Sequence, residues 1–355
     1  VKEEHLKLAT LLLALYAFIL SISAIGAVFK AVGADYSEQI IASTTDPLAA
    51  FFVGVVATAL IQSSSATTSL VVLMVDGGLL TLSCAIPIIM GANMGTSITN
   101  TIVSLGHVSS RRDFEKAFSA ATVHDFFNIL AAAVLLPIEI MYHPIESSAR
   151  VLAGTFASMG GLKLVSPLDY IIKPVIAVLK HNLPLWLILV LAMVTLFLAL
   201  KAIVNCMRSL VMDRMQLLLD RFLFRTAFIS FILGVVVTAA VQSSSITTSL
   251  VIPLAGAGLV TLEMIFPYTL GANIGTTITA FLAALVTKNE LAVTAASAHL
   301  LFNIFGIVIW YPLRQVPIGL ARRLAEVVSE QRKLALAYMI FAFYIVPGIV
   351  IFMIR

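Results

Sequence analysis

Charge is what this chain has least of. Only 11% of its 355 residues are Asp, Glu, Lys or Arg, against about 25% in ordinary soluble domains. That deficit excludes a water-soluble globule and points to an integral membrane protein. No stretch reads as a soluble domain; the longest less apolar one is 141–182. Cysteine is scarce too. The two present, Cys84 and Cys206, fall near opposite faces in the topology derived below, so no disulfide is expected between them. The phosphate-cradling pattern GxxxxGK[ST] is missing, which argues against an ATP-driven pump. A net charge of +4 gives no support to a nucleic-acid partner, because the basic residues are needed to orient the chain in a bilayer. The chain opens on Val1 with no cleavable signal pattern, and Leu6–Val32 is too long for a signal h-region, so that segment is read as a true span.

Apolar residues are what is abundant. They make up 60% of the chain, and the mean hydropathy is +1.06. Seven runs reach the length of about 20 residues that a helix needs to cross a bilayer: Leu6–Val32, Leu82–Leu105, Ala117–Ile140, Leu183–Val204, Leu262–Val286, Leu291–Leu313 and Leu334–Ile354. Basic residues collect after the second span (Arg111, Arg112, Lys116), the fourth (Arg208, Arg214, Arg221, Arg225) and the sixth (Arg314, Arg322, Arg323, Arg332, Lys333). The positive-inside rule makes those three segments cytoplasmic, and with them the N-terminus. Connections 33–46, 141–182 and 287–290 then lie outside. Segment 205–225 is amphipathic with arginines spaced through it, and is expected to be a separate interfacial helix.

The chain also repeats itself. GVVATALIQSSSATTSLVV from Gly54 returns as GVVVTAAVQSSSITTSLVI from Gly234, and IPIIMGANMGTSITN from Ile86 returns as FPYTLGANIGTTITA from Phe266. After a five-residue difference in length, His124-Asp-Phe-Phe-Asn128 faces His299-Leu-Leu-Phe-Asn303. Such self-similarity marks an internal duplication. Much of what is shared is hydroxyl, amide and glycine, which apolar packing alone would not preserve.

Two apolar stretches, 47–77 and 226–258, carry QSSS near their middles. Counting either as a full span breaks the alternation of basic loops. Both fit as re-entrant hairpins, the first dipping in from outside and the second from the cytoplasm. Three spans separate them, so the repeats are expected to be inverted, a recurrent plan of secondary transporters. The fold expected is an all-α polytopic membrane protein with inverted-topology repeats. Each repeat would contain a re-entrant helical hairpin and a broken transmembrane helix. Residues 1–140 form the first repeat, 141–182 an external connector, 183–313 the second repeat, and 314–355 a cytoplasmic link with a last span.

The hairpin tips carry the chemistry. Serines at the start of a half-helix, with its free N–H groups and positive dipole end, make an anion receptor. Gly91-Ala-Asn-Met-Gly95-Thr96 and Gly271-Ala-Asn-Ile-Gly275-Thr276 lie in mid-span beside Pro87 and Pro267. Two glycines four apart can form a close-packing surface; the transporter plan favours a break in the helix instead. Between Pro47 and Leu105 the only charged residue is Asp76, and between Thr226 and Thr287 it is Glu263. An anion at the tips therefore meets no Arg or Lys from the repeated elements. Half-helix dipoles amount to about half a charge each and leave a divalent anion uncompensated. Co-bound cations supply the rest most simply, and hydroxyl, amide and carbonyl oxygens suit an alkali ion. The residues by themselves point to cation-coupled transport of a small oxyanion.

QSSSATTS, PIIMGANMGTSITNT, RRDFEKAFSAATVHDFFN and LLP, as they stand here, resemble the type II sodium-phosphate cotransporters over roughly 45–140 and 225–315. The resemblance implies uptake of inorganic phosphate on the sodium gradient, with no cofactor and with both QSSS regions in the transport core. A short 141–182 without a cysteine pair suggests a compact bacterial member in the inner membrane. Parity leaves the C-terminus outside where the family is expected to have it cytoplasmic, so either a further span follows Arg355 or the last element is misread. Ser63, Ser64, Ser65, Ser243, Ser244 and Ser245 are the candidates for phosphate. Gln62, Thr67, Thr68, Asn93, Thr96, Gln242, Thr247, Thr248, Asn273 and Thr276 are the candidates for binding sodium or bracing the site.

Other features have plainer readings. His124 and His299 occupy matching places but read as helix-packing histidines. Asp125 faces Leu300, and Asp76 faces Gly256, so any role of either is confined to one repeat. Two other functions stay open: coupled transport of sulfate or a dicarboxylate on the same architecture, and an intramembrane serine hydrolase using His124. Duplication of the serines without a complete catalytic set argues against the enzyme.

Overall fold

The computed structural model describes residues 2–43, 46–107, 110–158, 169–222 and 226–354, and the regular structure among them is helical throughout. The first half contains α1 (Lys2–Ser43), α2 (Pro47–Ile61), α3 (Ser64–Asp76), α4 (Leu82–Gly95), α5 (Ile98–Ser104), α6 (Arg111–Tyr142), α7 (Pro144–Ser158) and α8 (Asp169–Asn182). The second contains α9 (Leu185–Phe222), α10 (Ala227–Val241), α11 (Ser244–Ser249), α12 (Val251–Gly256), α13 (Leu262–Thr287), α14 (Glu290–Trp310), α15 (Gln315–Glu330), α16 (Lys333–Ile340) and α17 (Val346–Ile354). Among the described residues, seven helical stretches are long and apolar enough to cross a membrane: Ala9–Phe29, Leu82–His107, Arg111–Tyr142, Leu185–Ile203, Leu262–Thr287, Glu290–Trp310 and Lys333–Ile354. Each contains or overlaps one of the seven runs read from the sequence. The protein is an all-α integral membrane protein.

The segments singled out as hairpins are shorter paired helices, α2 with α3 and α10 with α11–α12. Their turn is made by glutamine. Gln62 adopts φ 59, ψ 26 and Gln242 φ 57, ψ 26, the left-handed region. A residue with a Cβ is strained there by roughly 1–2 kcal/mol. Its own bonds offset that cost: the backbone N–H of Gln62 donates to Thr58 O at 2.7 Å and its Nε2 to Ala59 O at 2.5 Å. Gln242 repeats the pattern with Thr238 O at 2.7 Å and Ala239 O at 2.5 Å. The next residue then caps the following helix. Ser63 Oγ accepts from Ala66 N–H at 3.2 Å, and Ser243 Oγ from Ile246 N–H at 3.4 Å. That is ordinary N-capping.

Three expectations are corrected. The break expected at the mid-span glycines is absent from the second repeat, while in the first the helix is interrupted just after Gly95. α13 runs unbroken through Gly271 and Gly275, and between α4 and α5 there is only a tightened turn at Thr96 and Ser97, both right-handed helical. The glycines are contact surfaces. A Cβ at Gly91 would stand 1.9 Å from Phe51 O, and one at Gly271 would stand 2.0 Å from Phe231 O. Gly95 and Gly275 approach Val55 O and Val235 O in the same way. Backbone on backbone at this range is the small-xxx-small mode of helix packing. It binds α2 to α4 and α10 to α13, the two most extensively packed helix pairs in the fold. Second, 205–225 is not a separate interfacial helix. α9 continues from Leu185 to Phe222, because no glycine or proline interrupts that stretch. Third, connection 33–46 is mostly helix, since α1 extends to Ser43.

A prediction follows for the glycine contacts. Gly91→Ala and Gly271→Ala should each lower stability by about 1–3 kcal/mol or more, the cost of overpacking a filled interface. Thermal unfolding of the purified variants checks this. Gly319→Ala, where a Cβ meets nothing within 4 Å, should be neutral.

Candidate functional site

The two tips face each other. Gln62, Ser63, Ser64 and Ser65 from one hairpin and Gln242, Ser243, Ser244 and Ser245 from the other line a single cavity of about 40 Å³, closed on one side by Leu200 of α9. One water occupies about 10–15 Å³ on this measure, so the space is of the order of three waters or one small tetrahedral oxyanion. No charged residue lines it. Ser64, Ser65 and Ser244 are 3%, 6% and 4% exposed. Among the described residues, the hydroxyls of Ser64, Ser65, Ser244 and Ser245 make no hydrogen bond, and they stand where the first amides of α3 and α11 are outside the helical ladder. The cavity is thus bordered by donors left over from two helix starts.

Both tips are braced from behind alike. Thr99 Oγ1 donates to Gln62 Oε1 at 2.8 Å, and Thr279 Oγ1 to Gln242 Oε1 at 2.7 Å. Sequence reading passed over this threonine pair, although it stands at matching places in the repeat. The other candidates lie away from the cavity. Thr67 and Thr247 donate to Ser63 O at 3.1 Å and Ser243 O at 2.9 Å. Thr68 and Thr248 each donate to a serine carbonyl at 2.8 Å, and Thr248 also to Asn100 Oδ1 at 2.9 Å. Thr96 and Thr276 turn back to Ala92 O at 3.1 Å and Ala272 O at 2.9 Å. Apart from the Thr248–Asn100 contact, these hydroxyls spend their proton on carbonyls one turn earlier in the chain.

Asn93 and Asn273 belong to a different cluster, buried where α4, α6, α13 and α14 meet. Asn93 Nδ2 donates to Asn303 Oδ1 at 3.0 Å and to Asn128 Oδ1 at 3.1 Å. Asn273 Nδ2 donates to Asn128 Oδ1 at 2.9 Å. His124 Nε2 donates to Asn273 Oδ1 at 2.6 Å, and His299 Nε2 stands 3.4 Å from Asn93 Oδ1. An amide oxygen only accepts, so both imidazoles carry their proton on Nε2. The histidines therefore pack between helices within a polar network. A serine–histidine catalytic pair is not formed, because His124 bonds an asparagine.

Asp125 is fully buried. Its Oδ2 accepts from Tyr338 Oη at 3.0 Å, while Oδ1 has no hydrogen-bond partner among the described residues. A buried carboxylate with an open oxygen attracts a cation and repels an anion. The signal for it in the sequence was a charged residue inside an apolar span. Asp76 is elsewhere, at the far end of α3 from the tip, where Asn289 Nδ2 donates to its Oδ1 at 2.9 Å.

A family model described as Na+/Pi-cotransporter matches residues 17–166 and 195–329. Sodium-dependent phosphate transport protein 2B of Homo sapiens is 31% identical over 442 residues, covering 96% of this chain and 64% of the relative. Sodium-dependent phosphate transport protein 2A of Rattus norvegicus is 32% identical over 432 residues, covering 99% of this chain and 68% of the relative. The chain thus spans about 64% of the length of the 2B relatives from Pongo abelii and Homo sapiens. No solved structure matches it. Both QSSS tips and the whole buried asparagine cluster fall inside the matched segments, and the chain belongs to the Na+/Pi-cotransporter family.

Proposed function

We propose that this chain is a secondary transporter, not an enzyme, and that it imports inorganic phosphate on the sodium gradient. The observation that carries the reading is the cavity between the tips: two helix starts, six serines and no charged side chain. Serine hydroxyls and free amides donate to phosphate oxygens, which suits an anion with acceptors on every face. Ser63, Ser64, Ser65, Ser243, Ser244 and Ser245 hold the phosphate. Ser63 and Ser243, already caps of their helices, position the amides more than they donate themselves. Gln62 and Gln242 orient the tips.

Sodium brings the positive charge that the cavity lacks. Lone pairs on Thr67, Thr68, Thr247 and Thr248, and the open oxygen of Asp125, offer the hard oxygen ligands that an alkali ion takes. Asn93 and Asn273 brace the scaffold, since their side chains are used within the asparagine cluster. Inverted repeats are the arrangement that brings two hairpins from opposite sides of the bilayer to one cavity, and basic-loop placement puts the N-terminus in the cytoplasm. The short 141–182 favours a bacterial inner-membrane protein.

Phosphate uptake into proteoliposomes tests the whole reading. An inward sodium gradient should drive accumulation, while lithium, potassium and proton gradients of equal size should drive little. Uptake indifferent to sodium, or sulfate carried in preference to phosphate, overturns it.

A further inference from the structure

The buried asparagine–histidine cluster has two-fold partners throughout: Asn93 with Asn273, Asn128 with Asn303 and His124 with His299 correspond in the sequence repeat. Its bonding does not follow that symmetry. Two bonds are shared by both halves, Asn93 to Asn303 at 3.0 Å and Asn273 to Asn128 at 2.9 Å. The rest are one-sided. Asn128 Nδ2 reaches across to Asn93 O at 3.2 Å, whereas Asn303 Nδ2 stays with His299 O on its own helix at 2.9 Å. Asn93 bonds two amides and Asn273 only one. The His124–Asn273 bond is short at 2.6 Å, and its counterpart His299–Asn93 is long at 3.4 Å.

We propose that the cluster is a two-position switch, in which Asn128, Asn303, His124 and His299 are positioning residues that set one hairpin tip against the other. The proposal rests on the transport reading above. In the second position the partners trade roles. Asn303 turns its amide to Asn273 O, Asn128 withdraws to His124 O, the His299–Asn93 bond shortens and the His124–Asn273 bond lengthens. The number of hydrogen bonds is the same in both positions, so the two differ little in energy, as a bistable element requires. Burial sharpens the choice, because an amide between positions leaves donors unmet in a dry interior.

The cluster is connected to the tips. Asn93 lies between Gly91 and Gly95, which lock α4 onto α2, and α2 ends at Gln62. Asn273 lies between Gly271 and Gly275, which lock α13 onto α10, and α10 ends at Gln242. A shift of Asn93 relative to Asn273 therefore moves one QSSS tip relative to the other. Two contacts far from the tips, both made in this structure at the ends of the two hairpins, serve as reporters, since the switch requires one to loosen as the other is kept. Asn289 holds Asp76 at the end of α3, and a Cβ at Gly256, the end of α12, would stand 3.0 Å from His107 Nδ1.

The test uses the full chain in nanodiscs, with Cys84→Ala and Cys206→Ala to clear native thiols. Asp76→Cys with Asn289→Cys reports one opening, and His107→Cys with Gly256→Cys the other. The measured quantity is the ratio of the two disulfide-formation rates. His124→Ala removes the bond that is short here, and His299→Ala removes the one that shortens in the other position. The ratio should move by about two- to tenfold in opposite directions, the equilibrium change expected for one hydrogen bond. Both histidines are fully buried, so His124→Leu and His299→Leu, which refill the space without a hydrogen bond, are measured beside the alanine variants, and the switch requires the same opposite shifts from them. A shift of the same sign in both, or no shift, overturns the switch. If the alanine variants do not fold, His124→Gln and His299→Gln keep a donor and should show smaller shifts of the same opposite signs; an unchanged ratio there also overturns it. Opposite shifts in a protein without sodium-dependent phosphate uptake support the switch and overturn the transport reading instead.

Discussion

Removing the Ser64 and Ser244 hydroxyls together should reduce phosphate affinity by about a hundredfold or more. Each hydroxyl lost from a charged ligand costs about 1.5–3 kcal/mol, which is roughly ten- to hundredfold in affinity. Ser64→Ala and Ser244→Ala act on one ligand in one cavity, so their effects couple, and the two single variants measured beside the double variant give that coupling. Neither hydroxyl bonds another group among the described residues, and Ser63 and Ser243 still cap their helices. The folded state should therefore be little disturbed, and an unchanged melting temperature separates loss of binding from loss of structure. Titration calorimetry in saturating sodium gives the affinity. A double variant that binds phosphate like the native chain would take the serines out of the site.

The second large effect concerns coupling. Replacing sodium by choline at equal ionic strength should weaken phosphate binding by at least the upper part of the ordinary range for linked sites, about 1–3 kcal/mol or 5- to 150-fold. The reason is electrostatic. No Lys or Arg lines the cavity between the tips, and helix dipoles supply only about half a charge each. Linkage is reciprocal, so phosphate should raise sodium affinity by the same factor. Equal phosphate affinities in the two salts would place the compensating charge on the protein, and the sodium-coupled mechanism would fail.

Much of the architecture was legible before any coordinates. Span length and apolar content are local properties, and a helix in lipid satisfies its own backbone, so each of the seven runs in the sequence overlaps, among the described residues, a helix long and apolar enough to span. The two helix pairs were legible for a related reason: segments 47–77 and 226–258 each have a polar cluster at the centre of an apolar run, and that is where each pair turns. The candidate site was legible as a residue class: the duplicated Gln-Ser-Ser-Ser segments singled out in the sequence are the ones that line one cavity.

Where the reading failed, it failed on contacts between distant residues. Gly91 and Gly271 looked like helix breaks because glycine and proline break isolated helices. Packing decided otherwise, since a carbonyl from α2 or α10 occupies the space of the missing side chain. Segment 205–225 looked interfacial from its spaced arginines, yet nothing in it ends a helix. His124 and His299 were rightly read as packing residues, but their partners are asparagines 149 and 206 residues away, which no local pattern indicates.

The division follows from the physics. The sequence by itself determined the bilayer as solvent, the seven runs long and apolar enough to cross it, the duplication and the polar chemistry at the two turns. Each depends on residues near one another in the chain, or on transfer from water to lipid, which is indifferent to partners. Only the tertiary structure decided that the two tips share one cavity, that the glycines are packing surfaces, and that the asparagines and histidines form one asymmetric network. Those are decided by close fit and by hydrogen-bond direction, which exist only after the helices have met.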